Sequence, residues 1–143
     1  MTAQPTVTVT VRYRFQASAE RVFDAWLDPE IARQFLFATP TGKMVRAEVD
    51  PRVGGKFVFA DLREGEEVEH VGEYLELDRP RRLVFRFLVP KYTSVSTRVE
   101  IDIAPLEAGC ELTLRHDGVF EEYQSRTTEG WSKILAGLAA ALA

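Results

Sequence analysis

The sequence has few of the residues that bind transition metals or form covalent cross-links. Its 143 residues include one cysteine, Cys110, and two histidines, His70 and His116. A single cysteine cannot form a disulfide within the chain, so we expect a reducing compartment. Because so few cysteines and histidines are present, we predict no metal site and no cofactor.

The chain also lacks a net positive charge and a long apolar run. It has 18 Lys and Arg residues against 22 Asp and Glu residues, a formal net charge of −4. This acidic balance argues against nucleic-acid binding, which needs a basic face. The most apolar stretch, residues 131–143, is too short to span a bilayer, and residues 1–5 lack the pattern of a signal peptide. We therefore predict no nucleic-acid partner, no membrane insertion and a cytoplasmic location.

What the sequence does contain is the composition of an ordinary folded domain. It is 45% hydrophobic and 28% charged, which is typical of globular proteins and unlike a disordered chain. The length is near that of an average domain, and we find no linker, repeat or low-complexity segment. We predict a single domain over residues 1–143, as a monomer or a homodimer.

Residue periodicity predicts a strand followed by two short helices. Residues 7–15 alternate between apolar and polar side chains, which indicates a half-buried strand. Ser18 is a candidate N-cap for the first helix. Asp28 and Pro29 begin the second, because Asp can cap a helix and Pro suits its first position. A turn over residues 39–42 should follow.

Six further strands and a long helix complete the pattern. The strands are expected near residues 44–50, 56–61, 68–77, 83–89, 95–103 and 110–116. Gly72 indicates a bulge or a close approach within its strand. From about Tyr123 the period becomes helical, and one apolar stripe consists of Trp131, Ile134, Leu135, Leu138 and Leu142.

The order of these elements predicts an α+β architecture. Consecutive strands joined by short turns form an antiparallel meander. A twisted seven-stranded sheet must bury one face, and the terminal helix, about 18 residues and roughly 27 Å long, is the one element that can cover it. We predict a curved seven-stranded antiparallel sheet wrapped around this helix, with the two short helices closing one end.

Seven segments, in order, resemble those of a known family. They are residues 17–26 (ASAERVFDAW), 28–30 (DPE), 49–57 (VDPRVGGKF), 70–74 (HVGEY), 80–85 (PRRLVF), 116–120 (HDGVF) and 130–135 (GWSKIL). Together they resemble the START-like (SRPBCC) superfamily and, within it, the homologues of the heat-shock-protein-90 ATPase activator. The resemblance covers nearly the whole chain. It implies the helix-grip fold, in which an apolar cavity lies between the sheet and the terminal helix.

The resemblance implies several functions and no catalytic motif. The superfamily includes lipid carriers, polyketide cyclases and hormone receptors. The eukaryotic co-chaperone has an additional N-terminal domain, whereas this sequence starts at its first strand, so we expect a co-chaperone role to be absent. Binding of a small apolar or aromatic ligand is the primary hypothesis. A cyclase or hydrolase activity in the same cavity is the alternative, and a chaperone-associated interaction module is the second alternative.

The predicted inward faces supply the candidate pocket residues. These are Phe57, Phe59, Asp61, Tyr74, Phe85, Phe87, His116, Trp131, Leu135 and Leu138. Tyr123 is a further aromatic that could line the pocket. Core packing would produce the same pattern, so the pocket depends on the curved sheet and the helix leaving space between them.

The polar candidates each have two interpretations. His116 could bind a ligand or act with Asp61 as an acid–base pair, or it could be a structural histidine. Asp61 could anchor a ligand or lie at a solvated strand end. His70 is less favoured because it follows an acidic hairpin, and Cys110 is expected in the core. The sequence has no nucleophile elbow and no phosphate-binding glycine loop, so we name no catalytic residue.

Overall fold

The computed structural model describes residues 5–37 and 43–143. The turn predicted at residues 39–42 lies outside these ranges. The strands are β1 (Thr6–Phe15), β2 (Lys43–Val49), β3 (Lys56–Arg63), β4 (Glu66–Asp78), β5 (Arg82–Leu88), β6 (Thr97–Pro105) and β7 (Cys110–Phe120). The helices are α1 (Ala19–Leu27), α2 (Pro29–Phe35) and α3 (Gln124–Ala141).

The seven strands form one antiparallel sheet in the order β1-β7-β6-β5-β4-β3-β2. Strands β2 to β7 are sequential neighbours, as a meander requires, and β1 pairs with β7 so that β1 and β2 are the two edges. The predicted fold class is therefore confirmed. One face of the sheet carries the hydrophobic core together with α1, α2 and α3.

The two short helices begin where the sequence predicts. The Ser18 side chain accepts a hydrogen bond from the Arg21 backbone N–H, and Asp28 accepts one from Glu30. Pro29 occupies the first turn of α2. These caps satisfy backbone donors that have no partner within the helix. They allow α1 to end and α2 to begin within a single residue, so the chain turns and Trp26 and Phe35 both enter the core.

The terminal helix covers the sheet with a narrower face than the sequence predicts. Trp131, Leu135 and Leu138 are buried, whereas Ile134 and Leu142 are only half-buried. The helix contacts β1 and β7 of the sheet and also packs against α2. None of the helices in the described part of the chain is long and apolar enough to cross a membrane.

Two local predictions, for Tyr123 and Val95, are wrong. Tyr123 does not line the interior: it lies in a single 3₁₀ turn before α3, is 43% exposed and packs on Phe120. Val95 is exposed and precedes β6. Of the two interpretations of Gly72, the close approach is correct, and the bulge of β4 lies between Tyr74 and Glu76. Gly72 is a close approach, since an added Cβ would lie 2.2 Å from Cζ of Phe57.

Candidate functional site

The sequence-predicted pocket residues all lie on the core side of the sheet or of α3. Nine are buried and Phe87 is half-buried. The rings among them fall into two regions. Phe57, Tyr74 and Phe85 pack together toward Trp26 of α1. Phe87, whose ring centroid is 6.1 Å from that of Phe85, leads to the second region.

The second region is a cluster of rings between the sheet and α3. We call it the histidine–aromatic cluster, and its members are Phe37, Phe59, His70, Phe87, His116 and Trp131. Two members, Phe37 and His70, are absent from the sequence-predicted pocket. The cluster draws on β3, β4, β5, β7, α3 and the second residue after α2, so only the tertiary structure brings it together.

His116 uses both ring nitrogens inside this cluster. The indole Nε1 of Trp131 donates to Nδ1 of His116 at 3.0 Å, and Nε2 lies 2.7 Å from Oγ1 of Thr97. Because an indole N–H can only donate, Nδ1 must be the acceptor, and the proton of the neutral ring lies on Nε2. His116 therefore donates to Thr97. This chain of two hydrogen bonds joins α3 to β7 and β6.

Burial keeps His116 uncharged. It lowers the pKa of the imidazole to about 4, and nearby Asp117 acts in the opposite direction. Removing a charged imidazolium from water is costly, whereas the neutral ring is satisfied by its two hydrogen bonds. At neutral pH His116 thus presents a neutral, fixed ring to the cluster.

His70 resembles His116 in burial but not in bonding. Its ring stacks on that of Phe37, with centroids 4.2 Å apart and planes 13° from parallel. Burial, and after it the positive charge of Arg63, lowers the pKa of His70 to about 4. Its Nδ1 is buried and has no hydrogen-bond partner among residues 5–37 and 43–143. His70 shares strand parity with Val68 and Tyr74, which indicates burial. The acidic hairpin before it indicates exposure instead, and for that reason the sequence-based prediction did not place His70 in the pocket.

Asp61 is buried, with 1% of its surface exposed, and pairs with a residue of its own strand. Nε of Arg63 donates to Oδ2 of Asp61 at 3.0 Å, and Nη2 of Arg63 donates to the backbone carbonyl of Phe37 at 3.3 Å. The Asp61 charge raises the pKa of His70. Asp61 is thus electrostatically linked to His70, whereas the nitrogens of His116 are bonded to Trp131 and Thr97.

The remaining candidates have structural environments. Cys110 is fully buried, as predicted, and burial raises the pKa of its thiol. Tyr74 is buried beside Phe57, and burial also raises its pKa. The Trp26 indole Nε1 lies in the core without a hydrogen-bond partner in the described part of the chain. Across residues 5–37 and 43–143, no three His, Cys, Asp or Glu side chains are grouped so that they could hold a metal ion.

Three prominent cavities lie on the outside of the molecule. The largest of them, about 500 Å³, is a groove at β3, β4 and β5 beside Ser94 and Ser96, and its lining includes Phe57 and Phe87. Another, about 440 Å³, lies at Pro5 and Phe120, and a third, about 370 Å³, lies over β6 and β7. Phe87 of the histidine–aromatic cluster lines the largest of these three, whereas Trp131 of α3 lines none of them.

Comparison with known proteins points to one family. Residues 16–143 match the family model described as Activator of Hsp90 ATPase homolog 1-like protein. No curated protein matches the sequence. Among solved structures, a protein from Chromobacterium violaceum is 27% identical, with a TM-score of 0.84 over 93% of this chain and 94% of that one.

Two more distant structures share the fold. An AHSA1-like protein from Aeromonas hydrophila is 19% identical, with a TM-score of 0.80 over 95% of this chain and 92% of that one. DynU16, a protein of the dynemicin biosynthetic locus, is also 19% identical, with a TM-score of 0.76. It matches 96% of this chain, which spans 48% of that protein.

Proposed function

The chain belongs to the family of Activator of Hsp90 ATPase homolog 1-like proteins, and from this premise we propose that it binds a small apolar or aromatic ligand between the sheet and α3. The observation that carries the proposal is the histidine–aromatic cluster, in which rings from the sheet and from α3 meet around two neutral histidines. Ligand sites are typically apolar and aromatic with a few placed polar groups.

The electrostatics of the cluster favour an uncharged ligand. His70 and His116 each have a pKa of about 4 because they are buried, so both are neutral at physiological pH. Arg63 and Asp61 neutralise each other at 3.0 Å. A charged ligand would lose its hydration without meeting an unpaired opposite charge there, which costs several kcal/mol. An apolar or aromatic ligand would gain roughly 25 cal/mol for each Å² of apolar surface that it buries.

A fluorescent, uncharged aromatic probe tests the proposal. We expect 1-aminoanthracene to bind with one molecule per chain and to be displaced by competing apolar compounds. Leu138→Arg places a bulky charge on the buried face of α3 and should weaken binding by at least roughly tenfold, a loss of about 1.4 kcal/mol. Absence of saturable binding to the wild-type protein would disprove the proposal.

Two further variants separate binding from folding. Phe120→Arg is the matched control, because Phe120 is 44% exposed at the end of β7, and it should leave probe affinity unchanged. Phe87→Trp adds volume to a half-buried position of the cluster without adding charge, so it should weaken the probe even if Leu138→Arg fails to fold. Thermal unfolding of each variant shows which of them are folded.

The other hypotheses stay predictions. An acid–base role for His116 would require its bonds to Trp131 and Thr97 to break, and no observation favours that over ligand binding. A chaperone-associated role would be tested by co-purification with a chaperone. We also propose a single domain and a cytoplasmic location, which is compatible with the lone buried Cys110.

A further inference from the structure

Phe37 lies between the sheet and α3 but belongs to neither of them. It follows the C-cap of α2, yet its ring is 7% exposed and lies among rings from the sheet and α3. Its centroid is 6.2 Å from that of Phe59, 5.1 Å from that of Phe87 and 6.0 Å from that of Trp131. A side chain from the connection after α2 thus occupies the space between the sheet and the helix.

The backbone of Phe37 is in a conformation that a bulky residue rarely adopts. Its φ of +58° lies in the left-handed region, which is disfavoured for an L-residue because its Cβ comes close to the following carbonyl oxygen. The hydrogen bond from Arg63 to the Phe37 carbonyl offsets part of this cost. Such a conformation persists only where the surrounding contacts hold it, so a ligand that replaced those contacts would allow the backbone of Phe37 to leave the left-handed region.

The ring of Phe37 covers one specific polar group. It stacks almost parallel on His70, whose Nδ1 has no hydrogen-bond partner in the described ranges although the side chain is only 8% exposed. A neutral imidazole has one nitrogen that accepts a hydrogen bond. A ligand donor that faces Nδ1 would select the tautomer in which Nδ1 is that acceptor.

We propose that the Phe37 ring occupies the position of the ligand, and that an uncharged planar aromatic molecule carrying a hydroxyl or N–H group displaces it. Such a molecule stacks on His70 and donates a hydrogen bond to Nδ1. It replaces one aromatic stack by another, relieves the strain at Phe37 and satisfies a buried acceptor that Phe37 leaves unpaired. This inference rests on the proposed ligand-binding function and specifies the chemistry of its ligand.

Two matched probes test the inference. 2-Naphthol carries a hydrogen-bond donor, whereas 2-methylnaphthalene has nearly the same shape without one. We expect the wild-type protein to bind 2-naphthol several-fold more tightly than 2-methylnaphthalene, as measured by calorimetry. Binding of 2-naphthol should also shift the ring-proton NMR signals of His70, because Phe37 is replaced as its stacking partner. Equal affinity for the two probes, or unchanged His70 signals on binding, would overturn the inference.

Variants at three positions identify the displaced ring. Phe37→Ala removes the competing side chain and should tighten 2-naphthol binding by at least tenfold. Phe35→Ala is the matched control: it also removes a buried phenyl ring, but one that packs on Trp26, and it should leave the affinity close to that of the wild type. In the Phe37→Ala background, His70→Phe keeps an aromatic surface and should abolish the preference for 2-naphthol. An equal gain from Phe35→Ala would contradict the assignment.

The outcome can be separated from that of the proposed function. If 1-aminoanthracene binds and Leu138→Arg or Phe87→Trp weakens it, while Phe37→Ala leaves 2-naphthol affinity unchanged, the interior site stands and the role of Phe37 is disproved. If neither probe binds to the wild type or to Phe37→Ala, both proposals fail. Should Phe37→Ala not fold, Phe37→Leu retains apolar volume but cannot stack on His70, and a smaller affinity gain in the same direction is expected.

Discussion

His70 and His116 lie at two sides of the same aromatic cluster and differ in how their nitrogens are used. Both are buried on the core face of the sheet, and burial lowers the pKa of each to about 4. His116 is held by Trp131 and Thr97, so it ties the helix to the sheet. His70 keeps an unpaired Nδ1 within the described ranges beneath the ring of Phe37. Similar burial thus produces one histidine with both nitrogens bonded and one with a nitrogen that has no partner within the described ranges.

The lowered pKa that the two histidines share gives the largest expected effect, a dependence of the free energy of unfolding on pH. The folded pKa of about 4 lies below the 6.5 of an exposed histidine. Between these values the unfolded chain binds protons that the folded protein does not. Neutral burial therefore lowers the free energy of unfolding little above about pH 6.5. Below that pH the free energy of unfolding decreases steadily until the pH approaches 4. We expect a loss of roughly 2 kcal/mol per histidine between pH 7.5 and pH 5.

Denaturant titrations at these two pH values measure that loss. Replacing either histidine by phenylalanine should remove about half of the pH dependence, because each contributes one proton. The pair Asp24–Arg79 offers a control, since Asp24 has a pKa lowered by Arg79 and already ionises below this range; Asp24→Asn should leave the slope between pH 5 and 7.5 unchanged. A wild-type stability that is flat over this interval would contradict neutral burial of both histidines.

The next effect distinguishes the two histidines at neutral pH. His116→Phe leaves the Trp131 indole N–H without its acceptor and removes the donor to Thr97. An unpaired buried donor costs about 1–3 kcal/mol, so we expect the free energy of unfolding at pH 7.5 to fall by roughly 2–3 kcal/mol. Denaturant unfolding followed by Trp fluorescence measures it. Trp131→Phe in the same background should then cost less than it does alone, because the two residues share one interaction.

The smallest effect is expected at His70. His70→Phe keeps the stack on Phe37 and removes a nitrogen that has no hydrogen-bond partner in the described part of the chain. Replacing a poorly satisfied polar group by an apolar ring of similar shape is nearly neutral, so stability at pH 7.5 should change by less than about 1 kcal/mol. A loss equal to that of His116→Phe would erase the difference between the two residues and show that His70 is also structural.

Much of the framework could be predicted because its signals are local. Alternation along β1 and β7, the caps at Ser18 and Asp28 and the stripe of Trp131, Leu135 and Leu138 each depend on neighbouring residues. The end of an element is harder to predict. Val95 continues the alternation of β6 but lies in the preceding loop, because pairing with β5 begins only at Thr97.

The candidate site was predicted only in part because its contacts join distant residues. Parity placed His116 and Phe87 inward, but nothing in the sequence pairs His116 with Trp131 and Thr97. Phe37 follows a short helix and takes a positive φ, which no periodicity indicates. The expected association of Asp61 with His116 depended on parity alone, and the Asp61 charge acts on His70 instead.

The sequence by itself determined which faces are apolar, where helices begin and that a seven-stranded sheet must close on a terminal helix. These are consequences of side-chain periodicity and capping, which act over a few residues. The tertiary structure decided which polar atoms are satisfied. His70 and His116 have similar local sequence signals. Only the packing of α3 and Phe37 against the sheet gives His116 its hydrogen bonds with Trp131 and Thr97 and places the phenyl ring of Phe37 on His70.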